Sequence, residues 1–288
     1  MREMAYGSVS ERTYVRTGPA QLYPPRQPFL EIRMLGAFEV CRPSGNVVAA
    51  GEWRTGKFAD LVRLLALEAG DPVPTQRLIG ILWPSSESSR AKASLRTAAS
   101  QVRHVIGGDH LDRSPAGLRL KDVWVDVSAF RTLAGTVHRL RGTGPLVRMN
   151  DVAQKALALY RGDFAAHDER AEWAVRQRRE LAALYRDVLC DAAETALELG
   201  SAIDAVDYAC RATSVDPFSE RATRSAMRAH AELGEMPRAL EEFERCRALL
   251  ARKLAIEPSP QTRDLRRLLL TTVRSRPPVP QFVPRPHM

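Results

Sequence analysis

The sequence predicts a mainly α protein in two parts: an N-terminal winged helix-turn-helix with a small antiparallel sheet, three helices and a wing, then an all-α tetratricopeptide-like domain. Three observations carry this. Residues 75–121 read as a short helix, a Trp83-Pro84 stop, a second helix with one basic face, and a β-hairpin with further Arg and Lys. Residues 127–273 hold only helical patterns, and two segments within them align at a period of 34. A composition rich in Ala, Leu and Arg, with 6% aromatic residues, favours helix over sheet.

The elements follow in chain order. Residues 1–28 have no apolar period and are sprinkled with Gly, Ser, Pro and Arg, so a disordered leader is expected. Leu30–Leu35 alternates as a strand does, Gly36 breaks it, Phe38–Cys41 resumes it, and Val47–Ala50 is a third short strand after the Pro43–Asn46 turn. A helix is expected from about Lys57 to Ala69, stopped by Gly70-Asp71-Pro72. A second is capped by Thr75 and ends at Trp83-Pro84, and a third is capped by Ser88 or Ser89 and runs to Ile106, where Gly107-Gly108 ends it. Leu111–Arg113, a Ser114–Gly117 turn and Leu118–Lys121 form the hairpin that closes a domain spanning 29–126. In the helical part, 127–273, Leu199-Gly200 recurs as Leu233-Gly234 and Ala205 as Ala239. Asp216-Pro217 recurs as Glu257-Pro258 at an offset of 41, so the second unit carries a seven-residue extension. Residues 274–288, rich in proline, are expected to form a disordered tail.

Charge narrows the class of partner. The net charge is +9, yet residues 29–126 carry 13 basic and 11 acidic side chains and residues 127–272 carry 23 and 21. Against that near balance, residues 88–121 hold seven basic groups and two acidic ones, a local positive field of the kind that meets a nucleic-acid groove. The four cysteines are far apart, without metal-ligand spacing, and read as small buried hydrophobes in a reducing compartment; neither a metal nor a cofactor is expected. With no long apolar run and no apolar core near Met1, the sequence points to a cytoplasmic, nucleoid-associated protein that does not enter membranes.

The basic face of the third helix is the main candidate site. At about 100° per residue, Ala91, Leu95, Ala98, Ala99, Val102, Val105 and Ile106 share one arc. Lys92, Arg96, Ser100 and Arg103 line the next arc, with Thr97, Gln101 and His104 beyond. Arg96 and Arg103 have the forked donors that pair with guanine in a major groove, and Lys92 sits near a helix N-terminus, where phosphates are drawn. Gln101, Ser100 and His104 are placed to read bases or touch backbone. Arg113, Arg119 and Lys121 in the hairpin are placed for phosphates or a minor groove, and Arg54 and Lys57 for a phosphate clamp. The bland alternatives are a solvated helix face and a hairpin with solubilising charges.

Two other motifs are weaker. Gly51–Lys57 fits G-x-x-x-x-G-K, but Phe58 stands where a phosphate loop needs Ser or Thr, and the flanking chain leaves little sequence for a parallel sheet, so no enzyme is expected. His167-Asp168-Glu169 is the densest titratable cluster and reads as a solvated connection.

These residues resemble the Streptomyces antibiotic regulatory protein family, an OmpR-like winged helix joined to a bacterial transcriptional activator domain. The likeness runs through Leu30–Val40, Pro74–Trp83, Arg90–Ile106, Arg113–Leu120, Ala156–Phe164, Glu241–Arg245 and Leu254–Pro260, and spans roughly residues 29–273. It implies a sequence-specific activator of a secondary-metabolite (antibiotic) gene cluster. Such proteins bind direct repeats of double-stranded DNA near promoters, as a homodimer or tandem protomers, and recruit RNA polymerase holoenzyme. The loop Pro84, Ser85, Ser86, Glu87 matches the polymerase-facing segment. Gln101 and His104 stand where the family often has Arg, which bears on sequence preference. The competing reading is a helical-repeat adaptor whose winged helix contacts protein.

Overall fold

The computed structural model describes residues 29–165 and 172–274, with only the backbone of 272–274. The leader, the His167-Asp168-Glu169 cluster and residues 275–288 lie outside the described residues.

Strands β1 (Leu30–Arg33) and β2 (Glu39–Cys41) pair antiparallel, Ile32 opposite Val40. The expected third strand at Val47–Ala50 is not there. Val47 makes one bridge to Cys41, and Ala50–Trp53 winds into a 3-10 turn closed by the Glu52 carboxylate, which accepts the Ala49 N–H at 2.9 Å. The chain turns there to bury Trp53 against Phe38, ring centroids 5.5 Å apart. The third sheet member is instead β5 (Val123–Val125), which pairs with β1 in parallel, so the sheet is mixed and ordered β2-β1-β5.

Helices α1 (Gly56–Leu67), α2 (Thr75–Leu82) and α3 (Ser88–Ile106) share one buried core with this sheet. α1 ends two residues before the expected Ala69 because Ala69 and Gly70 both have positive φ, 51° and 97°. The N-cap positions fall one residue earlier than expected, on Pro74 and Glu87. Neither Thr75 nor Ser88 or Ser89 caps with its side chain. The seven residues of the apolar arc of α3 are all buried, as the helical period requires.

The hairpin of β3 (Leu111–Ser114) and β4 (Gly117–Leu120) is the wing. Val73 ties it down through two backbone bonds to Leu118, 2.8 and 3.1 Å, and Gly117 lets the strands approach.

β5 runs straight into α4 (Asp126–Leu140), followed by α5 (Leu146–Leu159), α6 (Glu172–Glu198), α7 (Ala202–Val215), α8 (Glu220–Glu232), α9 (Met236–Leu254) and α10 (Pro260–Arg274). The 34-residue repeat is reproduced in hydrogen bonds. Gly200 and Gly234 both have φ 77°, Ser201 N–H bonds Ala196 O at 2.8 Å, and Glu235 N–H bonds His230 O at 2.8 Å. Ala205 and Ala239, one turn into the following helices, are fully buried where a larger side chain would push the helices apart. The extension of the second unit lengthens α9 to 19 residues, against 14 in α7. α10 is held on α8 by Ser259, whose N–H and Oγ–H both donate to Glu220, at 2.8 and 2.6 Å.

One core runs through both halves. Phe164, fully buried, bridges Leu35, and Arg178 donates to the Phe164 and Ala165 carbonyls at 2.8 and 2.6 Å. Asp126, the first residue of α4 and 2% exposed, accepts the N–H groups of Met34 and Leu35 at 2.8 and 2.9 Å, and Val127 N–H at 2.7 Å. Its carboxylate thus joins the end of β1 to the start of the helical half.

Burial pushes the Asp126 carboxyl up to about 6, against those three N–H bonds, which hold it down. A folded-state value above the unfolded one means that the folded protein binds the extra proton. The stabilisation is full below about pH 4 and is lost as pH rises through about 6. Asp126→Asn does not titrate, so its deficit against the wild type is expected to be largest near pH 4 and to shrink by pH 7. Urea unfolding of both proteins at the two pH values measures this; a deficit that grows with pH contradicts the assignment.

Candidate nucleic-acid interface

α3 projects its polar face from a fixed base. Arg42, at the end of β2, donates from Nε to Val105 O at 2.8 Å and pairs with Glu52, so a cation sits at the carbonyl end of the helix. Arg42 and the Ala49 N–H hold the Glu52 carboxyl below its usual range. Gly107, φ 97°, then turns the chain toward the wing. Arg42 carries one local signal in the sequence, a basic residue flanking the Pro43–Asn46 turn, too common to mark it as a helix-end contact.

Around the axis of α3 the exposed and half-buried side chains divide into three groups. On the wing side, Lys92, Arg96 and Arg103 line a cleft of about 400 Å³ with Arg113 and Thr75, floored by Leu95, Ala99 and Leu118. At the crest, opposite the buried arc, stand Ala93, Ser100 and His104. On the far side Arg90, Ser94 and Thr97 face Thr55, Lys57, Phe58 and Trp83 across a second depression of about 490 Å³.

The structure distinguishes among the expected contacts. Lys92, Arg96 and Ser100 are exposed, as is Arg113 in the wing, and no ion pair engages Lys92, Arg96 or Arg113 among the described residues. Arg103 is half-buried and donates from Nε to Leu111 O at 3.2 Å, so it also seats the start of the wing. Gln101 is half-buried on the flank, and His104 is exposed beside Glu52. Arg119 and Lys121 are gathered on Asp112, each with a nitrogen 3.0 Å from Oδ2. Lys121 and then Arg119 hold that carboxyl below its usual range. The pairing was readable in principle, because a two-residue Pro115-Ala116 turn places Asp112 opposite Arg119.

Away from the cleft, Arg54 is exposed with φ 54° and Lys57 holds its Nζ 5.5 Å from the centre of the Trp83 ring. The G-x-x-x-x-G-K stretch is the 3-10 turn and first turn of α1, and the sheet beside it is the three-stranded mixed one, β2-β1-β5. Pro84, Ser85, Ser86 and Glu87 form an exposed tight turn, Ser86 N–H bonding Trp83 O at 3.2 Å. No helix among the described residues is long and apolar enough to cross a membrane.

Known proteins resemble this chain in both sequence and fold. Residues 125–270 match the family described as the bacterial transcriptional activator domain. The regulatory protein DnrI of Streptomyces peucetius is 32% identical over 257 residues, covering 84% of this chain and 92% of DnrI. The regulatory protein AfsR of Streptomyces griseus is 27% identical over 212 residues, covering 73% of this chain but 22% of AfsR, so the chain spans under a quarter of that relative. EmbR of Mycobacterium tuberculosis shares the fold, with a TM-score of 0.75 at 22% identity over 85% of this chain and 66% of the EmbR chain. The likeness to EmbR runs through the winged helix as well as the helical half, since it covers more than residues 125–270. With the activator domain matched over half of this chain and DnrI matched nearly end to end, the chain belongs to the Streptomyces antibiotic regulatory protein family.

Proposed function

We propose that this chain is a sequence-specific DNA-binding transcriptional activator of an antibiotic gene cluster, acting in the cytoplasm on the nucleoid. The observation that carries the reading is the convergence of Lys92, Arg96, Arg103 and Arg113, from α3 and the wing, on one cleft beside an uncovered polar helix face. α3 enters the major groove. Arg96 reads a guanine edge while Lys92 and Arg103 meet the flanking backbone, and Ser100 and His104 at the crest, with Gln101 at the flank, complete the contact. Arg113 reaches the adjacent backbone from the wing, Arg119 and Lys121 add to its positive field, and Arg54 and Lys57 steer phosphate beyond the far side of α3.

On this reading residues 29–126 form the DNA-binding domain and 127–273 the activator domain. The Pro84–Glu87 turn faces RNA polymerase holoenzyme, and protomers bind direct repeats in tandem or as a homodimer. Because Asp126 and Phe164 join the halves through one core, the helical domain takes a fixed bearing from each half-site. A genome-wide map of bound sites tests the reading. It is expected to show direct repeats upstream of biosynthetic genes, at spacings that keep successive protomers on one face of the duplex. Occupancy without a shared motif contradicts it.

A further inference from the structure

The wing carries its cations on two different faces. Opposed residues of an antiparallel pair point the same way, and successive residues alternate. Leu111, Arg113, Leu118 and Leu120 therefore share the inner face, where three leucines are buried and Arg113 lines the cleft beside α3. Asp112 and Arg119, opposite each other, share the outer face, and Lys121 follows in the same alternation. There the Asp112 carboxylate takes both cations on one oxygen, 3.0 Å from each. All three side chains are a quarter to under half exposed, so the cluster is open to solvent and to a ligand.

We infer that Asp112 is a specificity-determining residue that withholds Arg119 and Lys121 from DNA phosphate. The inference rests on the DNA-binding reading above. A phosphate approaching the outer face must displace a carboxylate already bonded to both cations, and the displaced carboxylate then repels it. The wing therefore engages the duplex through Arg113 alone. Binding leans on α3, which reads sequence, and less on backbone charge, which does not. Removing the carboxylate frees two phosphate contacts that no base sequence governs.

The experiment is a salt titration of the full chain on a promoter fragment and on a scrambled duplex, for the wild type and three variants. Asp112→Asn keeps the size of the side chain and releases the cations. Its log–log slope is expected to steepen by about 1 to 2, at about 0.9 per added phosphate contact, with roughly tenfold tighter binding to the scrambled duplex and a smaller promoter preference. Adding Arg119→Gln and Lys121→Gln to Asp112→Asn is expected to remove that gain. Asp109→Asn deletes the same charge from an exposed neighbouring site and is expected to leave the slope unchanged. Nitrogen NMR of the wild type gives a readout free of substitution: the Arg96 and Arg113 Nε signals shift on adding DNA and the Arg119 signal does not. An unchanged slope in Asp112→Asn, a gain that persists in the triple variant, an equal gain in Asp109→Asn, or a shifted Arg119 signal each overturns the inference while leaving DNA binding in place. A wild type with no salt-dependent binding to either duplex overturns the DNA-binding reading, and this inference with it.

Discussion

Gly117→Ala is expected to unseat the wing. At φ +143° an L side chain is strained, and its Cβ would fall 1.9 Å from Val73 O and 2.4 Å from the Val73 carbonyl carbon. The obstacle is backbone, so no rotamer change relieves it. β4 must then leave Val73 and take Leu118 with it. Strain and overpacking together suggest a loss on the order of 3 kcal/mol. Gly45→Ala is the control: φ is +87° there too, but nothing lies within 4 Å, so only about 1 kcal/mol of backbone strain is expected. Thermal unfolding of both variants separates the contributions. Equal stability would show that the wing does not depend on this approach. Because Leu118 floors the cleft and Arg113 stands opposite it, Gly117→Ala is also expected to weaken DNA binding while α3 stays intact.

Arg96→Ala is expected to remove most sequence discrimination and leave the fold unchanged. Arg96 is exposed, unpaired among the described residues, and midway along the polar face of α3. A lost bidentate contact to guanine corresponds to about 1–3 kcal/mol, or roughly 5- to 150-fold weaker binding to the cognate site. Binding to unrelated duplex should change far less. Arg103→Ala, by contrast, should also lower the unfolding temperature, since Arg103 holds Leu111 O. Competition binding with cognate and scrambled duplexes, read beside thermal melts, tests both. Undiminished discrimination in Arg96→Ala would move base reading to the crest residues Ser100 and His104.

Local periodicity was legible in the sequence. The arc Ala91–Ile106 is the buried face of α3, and the hairpin and the Leu-Gly turns of the repeat stand where composition put them. Each depends on residues a few positions apart. What stayed hidden depends on distant pairing. Val123–Val125 is too short to announce a strand, and it becomes one only beside Leu30–Ile32. Asp126 reads as an ordinary acidic residue at a helix start until β1 delivers two N–H groups to it. Val47–Ala50 looked like a strand because valines favour sheet, but the pull of Trp53 toward Phe38 outweighed that preference. At the site, the charge count locates the basic stretch but not which cations are engaged; that takes the cross-strand register for Asp112, which the short Pro115-Ala116 turn implies, and helix-end geometry for Arg42.

Equilibrium binding to a promoter fragment across a salt series tests whether α3 and the wing grip duplex DNA. Tight binding at low salt is expected, with a linear fall of log affinity with log salt at a slope of about −3, from the Lys92, Arg103 and Arg113 phosphate contacts. Failure to bind any duplex at low salt would contradict it and leave the winged helix as a surface for protein.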